Sequence, residues 1–294
     1  AVTLSDTTLA AATANLIDAA TSGAIDATAA TTIAGTAADV ITAIQSTGIT
    51  TATDYNVTLS GAATVAQLTT LDGDTTGAIS AAAITDTFSA INTLALNSST
   101  TLQNATGPIT ANGNFADNSM DMTDVGNLAD LVIDGQGGND TIIGAQGNDT
   151  ITGGTGNDIL FGGLGTDTFV IADIETNGSD QFFSFTTSTD TAAVAQGLDT
   201  LQFSTADLKA VAGFTAAGGG AALTLSDGTK VAFVDGAAST DAVATFVYND
   251  ATGVLSFDAD GTGAGAVINV GTFYSDSGST LITDILAADF NFIA

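Results

Sequence analysis

Four aspartates at nine-residue intervals, Asp140, Asp149, Asp158 and Asp167, punctuate the run DGQGGNDTIIGAQGNDTITGGTGNDILFGGLGTDTFVI between Asp134 and Ile171. Each belongs to a unit Gly-x-x-Gly-x-Asp-x-apolar-x, with Ile142, Ile151, Leu160 and Phe169 in the apolar places. Gly135, Gly144, Gly153 and Gly162 open the units, and Gly138, Gly147, Gly156 and Gly165 precede the aspartates by two. Glycine admits turns that are closed to other residues. Such turns aim several backbone carbonyls into one small space. Carbonyls plus a carboxylate make an all-oxygen set, of which calcium takes about six to eight. The candidate metal ligands are therefore the four aspartates with the loops of the eight glycines. Two units make one turn of a parallel β-roll, so Asp140 is expected over Asp158 and Asp149 over Asp167. A cation between each pair would neutralise both charges, and four aspartates support two such ions. A flexible glycine-aspartate linker has no reason to keep an apolar residue in the eighth place of four successive units. The preceding unit is degenerate: Gly126 and Ile133 are in phase, Leu131 stands where the aspartate belongs, and Asp130 is out of register.

Those loops need strands to carry them. The three residues after each aspartate read as a short strand with its central side chain inward, which predicts a central parallel β-roll over 135–171. Residues 1–107 carry a longer repeat, in which VTLS recurs at Val2 and Val57 and a Gly-Ala-Ile step at Gly23 and Gly77. Leu9, Ala12, Leu16, Ile17 and Ala20 share a face at helical spacing. So do Ala37, Val40, Ile41 and Ile44, then Val65, Leu68 and Leu71, then Ile84, Phe88, Ile91 and Leu94. Asp6 and Thr36 are the expected N-caps, and Gly23, Gly48 and Gly77 the expected stops. Four β-α units with one apolar face each can bury it only by stacking, which predicts an N-terminal α/β solenoid. Residues 108–134 hold the only proline, Pro108, lack periodicity, and read as a connector or cap. Residues 172–294 alternate as strands. Leu223–Phe233 forms a hairpin turning at Asp227-Gly228, Phe246–Phe257 a second, and Ala264–Tyr274 a further strand. The expected fold class is a repeat protein of mixed α/β and β, with a C-terminal antiparallel β-rich cap over a roll end that would otherwise invite edge association.

Composition removes much else. Lys209 and Lys230 are the only basic residues, Glu175 is the only glutamate, and the net charge is −30. That argues against nucleic acid and anionic membrane as partners. It also destabilises the compact state by self-repulsion unless cations are present. There is no cysteine and no histidine, which excludes disulfides, Ser-His-Asp hydrolysis and histidine-based zinc sites. Aspartates are too common for any glycosidase-like pair to stand out, so the chain is expected not to be an enzyme. The DADGTG segment at Asp258 lacks the later carboxylate of an EF-hand and reads as a turn. No run of about eighteen apolar residues predicts a membrane span. The N-terminus AVTLSDTTLA shows no basic region before an apolar core, hence no secretory signal peptide there. Without an initiator Met the chain is expected to be processed or a piece of something longer.

The nonapeptides resemble those of the RTX (repeats-in-toxin) family of secreted bacterial calcium-binding proteins. Downstream, DQFFSFTT followed by GLDTLQFSTADL looks like the strand pair that follows the roll in many members. FVYNDATGVLSFDADGTGAGA resembles a hairpin near the end of non-protease members, and LITDILAADFNFIA is similar to an uncleaved C-terminal signal read by type I secretion machinery. The N-terminal repeats look like those of large bacterial surface proteins. The resemblance implies that each calcium takes loop backbone oxygens plus the stacked carboxylates of Asp140 with Asp158 and Asp149 with Asp167. Asp199 occupies a place where some members use an aspartate for a further ion, but its surroundings depart from the pattern and it is not counted. The resemblance further implies a chain exported unfolded and folded by calcium outside the cell.

From these readings the expected function is an extracellular or cell-surface calcium-binding structural protein that self-assembles in a surface layer, matrix or filament. Its partners would be calcium, copies of itself through head-to-tail or lattice contacts, and the type I secretion machinery during export. The alternative is the C-terminal export and calcium-binding portion of a large bacterial adhesin. A secretion domain of an enzyme would need its active site outside this chain. An ice-binding roll would need a rank of threonines where Gly137, Gln146, Thr155 and Leu164 stand.

Overall fold

The computed structural model describes residues 1–75, 78–91, 108–123, 130–187, 197–211, 223–224, 229–235, 243–261, 267–275, 280–282 and 285–294. They are mostly parallel β-structure with few helices, the architecture of a β-roll repeat protein. Two compact units emerge, one of Ala1–Ala111 with Asp124–Asp130 and one holding Asn112–Thr123 and Leu131–Ala294.

The first unit runs β1 (Val2–Thr3), β2 (Thr8–Ala10), α1 (Ala11–Ala20), β3 (Ile25–Ala27), β4 (Thr32–Gly35), α2 (Ala37–Gln45), β5 (Ile49–Thr51), β6 (Asn56–Ala63), α3 (Val65–Asp74) and β7 (Ile79–Thr87). β1, β3 and β5 form one parallel ladder with Val2, Ile25 and Ile49 in register. β2, β4, β6 and β7 form another with Leu9, Ile33, Val57 and Ile79 in register. The register step is therefore about one strand-strand-helix passage. The two VTLS segments fall in different ladders, so their recurrence is not the structural repeat.

Side-chain size explains where the helical reading holds. In α3, Val65, Leu68 and Leu71 are all buried, as expected, and a Thr64–Gln67 capping box starts the helix. In α2, Thr36 caps by accepting the Asp39 N–H at 3.2 Å, while Ala43 rather than Ile41 or Ile44 completes the buried face with Ala37 and Val40. In α1 only Ala11 and Ala14 are buried. Leu9 belongs to β2, Leu16 is 72% exposed, and Ala10 rather than Asp6 is the N-cap. Ile84 lies in β7, not in a helix. Gly77 and Leu94 lie outside the described residues.

β8 (Ile109–Asn114) crosses the boundary between units. The second unit continues with β9 (Ser119–Asp121), β10 (Leu131–Gln136), β11 (Thr141–Ile143), β12 (Thr150–Thr152), β13 (Ile159–Phe161), β14 (Thr168–Ile171), β15 (Asp180–Phe183), β16 (Thr200–Ser204) and α4 (Thr205–Ala210). It ends with β17 (Leu223–Thr224), β18 (Lys230–Asp235), β19 (Thr245–Asn249), β20 (Val254–Asp258), β21 (Val267–Tyr274) and β22 (Phe290–Ile293). One sheet of the roll orders β10-β12-β14-β16-β22 and the other β9-β11-β13-β15-β21, all parallel. The roll register thus reaches well beyond 135–171. β9 and β10 join it from the segment expected to be a connector, and β15, β16, β21 and β22 from the segment expected to be an antiparallel cap.

Among the described residues, antiparallel pairing joins β17 to β18 and β19 to β20 to β21, with an isolated bridge from Tyr274 to Leu281. Both hairpins read from the sequence are among these; the Asp227-Gly228 turn lies outside the described residues. Alternation places one residue of each three-residue strand inward. Ile142, Ile151, Leu160 and Phe169 are accordingly 0–1% exposed. The core then turns aromatic: Phe169 meets Phe182 edge-on at 5.3 Å, and Phe182 stacks on Phe273 at 4.5 Å. On the outer face Phe161, Phe183 and Tyr274 stack at 4.7 and 4.5 Å along three adjacent strands.

Candidate metal centre

β11 to β14 are each preceded by a glycine-rich loop ending in an aspartate, and the ladder register stacks these aspartates in two columns. In the first, the backbone N–H of Asn118 donates to Asp140 Oδ1 at 2.7 Å, that of Asp140 to Asp158 Oδ1 at 2.7 Å, and that of Asp158 to Asp180 Oδ1 at 3.0 Å. In the second, the N–H of Leu131 donates to Asp149 Oδ1 at 2.8 Å, that of Asp149 to Asp167 Oδ1 at 2.9 Å, and that of Asp167 to Asp199 Oδ1 at 2.8 Å. The structure therefore places Asp140 against Asp158 and Asp149 against Asp167, each pair eighteen residues apart. All six aspartates are at most 2% exposed.

The two sets of glycines serve different physical needs. Gly138, Gly147, Gly156 and Gly165 have φ between +104° and +135°, a region that side-chain-bearing residues rarely adopt. Gly135, Gly144, Gly153 and Gly162 do not; what they provide is room. A Cβ on Gly135 would strike both Asp140 Oδ2 and the Gly153 carbonyl oxygen of the next turn. One on Gly144 would strike Asp149 Oδ2 and the Gly162 carbonyl oxygen. A carboxylate oxygen and a carbonyl oxygen from neighbouring turns thus converge where no side chain fits. Freedom of φ, the reason read from sequence, does not apply to these opening glycines.

The second oxygens leave room for a cation. Asp140 Oδ2, Asp158 Oδ2 and Asp167 Oδ2 are buried without a hydrogen-bond partner. A buried acceptor left unpaired costs about 1–3 kcal/mol, and more when charged. Asp149 Oδ2 accepts the Ala145 N–H at 3.1 Å. Among the described residues no three carboxylates group closely enough to hold a metal by themselves, so any ion here shares carboxylates with backbone carbonyls. That is the hard-oxygen donor set calcium takes, and the residues fit it.

Electrostatics point the same way. Burial pushes Asp158 up to about 6, against an ordinary value of 3.8, with the neighbouring Asp140 charge adding to the rise. It pushes Asp167 and Asp199 up to about 7 and Asp180 up to about 8, each further raised by the carboxylate one turn away. Asp140 is raised too, again chiefly by burial. The backbone N–H bonds act in the opposite direction throughout.

The nine-residue spacing does not reach Asp180 or Asp199. Both keep the local order Gly-x-Asp-x-apolar, at Gly178-Ser179-Asp180-Gln181-Phe182 and Gly197-Leu198-Asp199-Thr200-Leu201. They lie 22 and 32 residues past their column partners instead of eighteen, so a search in phase passes over them. Asp289 lies one residue off this register, opposite Thr200, with its Oδ2 accepting the Leu286 N–H at 2.7 Å, and its charge adds to the rise of Asp199. Asn118 takes the aspartate's place at the start of the first column, and Leu131 at the start of the second.

Comparison with curated proteins and with solved structures returns no match. A protein-family model does match: residues 134–169 correspond to the RTX calcium-binding nonapeptide repeat, in four copies. The matched segment is the one whose carboxylates stack in buried columns, and the chain carries RTX-type calcium-binding repeats there.

Proposed function

We propose that calcium is held between successive turns by Asp140 with Asp158 and by Asp149 with Asp167. Backbone oxygens of the loops of Gly135, Gly138, Gly144, Gly147, Gly153, Gly156, Gly162 and Gly165 complete the shell. The buried, unpartnered second oxygens of Asp140, Asp158 and Asp167 carry this reading. Without a cation, like charges one turn apart repel and the loops lose their tie, so binding free energy becomes folding free energy. In a cell with submicromolar free calcium the roll stays an unfolded chain that the type I machinery can export. Millimolar calcium outside folds it, which places the working protein outside the cell or on its surface.

The wider role in this proposal is structural, not enzymatic. The parallel ladders and helices of the first unit are read as an α/β solenoid. Its repetition supports self-assembly through head-to-tail or lattice contacts in a surface layer, matrix or filament. Circular dichroism with light scattering during a calcium titration, followed by chelation, tests both parts. Folding with large reversible assemblies supports the subunit reading. Folding to a monomer shifts the role to the export and calcium-binding portion of an adhesin. A chain equally folded in excess chelator removes the calcium switch.

A further inference from the structure

Asn177 is the one buried side chain among the equivalent places of the described turns. Three residues before Asp149, Asp158 and Asp167 stand Gln146, Thr155 and Leu164, all exposed, and before Asp140 stands Gly137, buried but without a side chain. Three before Asp180 stands Asn177, 3% exposed. The segment between β14 and β15 turns it inward. Ile174, 2% exposed, anchors that segment in the core, and the N–H groups of Thr176 and Asn177 both donate to the Asp173 carbonyl, at 3.2 and 2.8 Å. The exposed Glu175 takes the place of an opening glycine.

The consequence lies at the carboxylate. Asn177 Nδ2 donates to Asp180 Oδ2, the oxygen that in Asp140, Asp158 and Asp167 has no partner. Asp180 Oδ1 meanwhile accepts the Asp158 N–H. Both oxygens are therefore engaged by the protein itself. An amide hydrogen aimed at a buried carboxylate supplies the positive potential that a cation supplies elsewhere. An amide also bounds the other end of this column: Asn118 replaces the aspartate there and accepts the Asn114 N–H through Oδ1 at 2.9 Å.

We propose that Asn177 stands in for a calcium ion at the Asp180 turn, so that the cation sites of the first column end at Asp158. The proposal rests on the calcium reading above and extends it by fixing where binding stops. Asp180 is then a positioning residue, holding the last turn in register without metal. Asn177 is what keeps an acidic column from recruiting one ion more.

Native mass spectrometry of the full chain in calcium counts the ions, with calorimetry for the midpoint and circular dichroism to confirm that each variant is folded. Asp180→Asn should bind as many ions as the unaltered chain with an unchanged midpoint, because the Asn177 amide can rotate to accept from the new donor. Asp158→Asn should lose an ion. Asn177→Asp, which sets a second carboxylate against Asp180, should gain one. Loss of an ion in Asp180→Asn overturns the proposal, as does a folded Asn177→Asp that gains none. Should Asp180→Asn fail to fold, the Asn177→Asp count decides alone. An unaltered chain that binds no calcium overturns the calcium reading along with this one, whereas a loss confined to Asp180→Asn leaves that reading standing.

Discussion

A carboxylate has two oxygens, and in this roll they do different work. Oδ1 of each column aspartate accepts a backbone N–H from the turn before it, which fixes the register. Oδ2 of Asp140, Asp158 and Asp167 faces the opening glycine and is left for a cation. Raised folded-state values of about 6 to 8 mean that the metal-free fold binds protons more tightly than the unfolded chain, whose aspartates titrate near 3.8. The resulting stabilisation is full below that value and is lost as pH rises through about 8. In chelator, thermal unfolding should therefore come at a higher temperature at pH 5 than at pH 8. With calcium in excess the difference should shrink, and the calcium midpoint should rise as pH is lowered. An equal melting temperature in chelator at both pH values would remove the buried-carboxylate account. Gly153→Ala should cost about 1–3 kcal/mol through overpacking against Asp158 Oδ2. The exposed Thr155→Ala should stay within about 0.5 kcal/mol; denaturant titration in calcium separates the two. Four aspartates were legible because their spacing never changes. Asp180 was not, because an insertion breaks the count while leaving its local pattern intact.

Strands three residues long hold little by themselves, so the elements here are stabilised by what stacks on them. Phe182 is the clearest case in the roll, packed between Phe169 and Phe273. Phe182→Ala should cost about 3–5 kcal/mol, read as a lower denaturant midpoint in calcium. In the first unit, Thr36→Ala removes the cap of α2 and should cost about 1 kcal/mol, with loss of helical ellipticity on heating as the check. Hydrophobic spacing found α3 because its buried face is built from large residues. It misread α1, where alanines pack and Leu16 points to solvent. Small side chains let a helix lie close to the strands, yet they leave a faint periodic signal. The parallel pairing of β15, β16, β21 and β22 was hidden for another reason. Long-range register between segments as distant as Leu201 and Phe290 leaves no mark in a local pattern.

At the scale of the molecule, charge and architecture divide the two units. The buried aspartate columns belong to the second unit, and none of the buried aspartates lies in Ala1–Ala111. Chelation should therefore expose the amides of β10 to β14 to rapid hydrogen exchange while those of α2 and α3 stay protected. Equal loss of protection in both units would show that calcium governs the whole chain. Added monovalent salt should reduce the self-repulsion of a −30 chain without restoring the roll, since screening cannot fill an oxygen shell. Successive turns keep one register across steps of 18, 22 and 32 residues, so the extra length lies between strands. Lengthening a loop costs only about 0.6 kcal/mol per doubling. Strand pairing, not the count of residues between strands, therefore sets each turn's place, so turns of unequal length hang on one ladder as unequal rungs would on a common pair of rails.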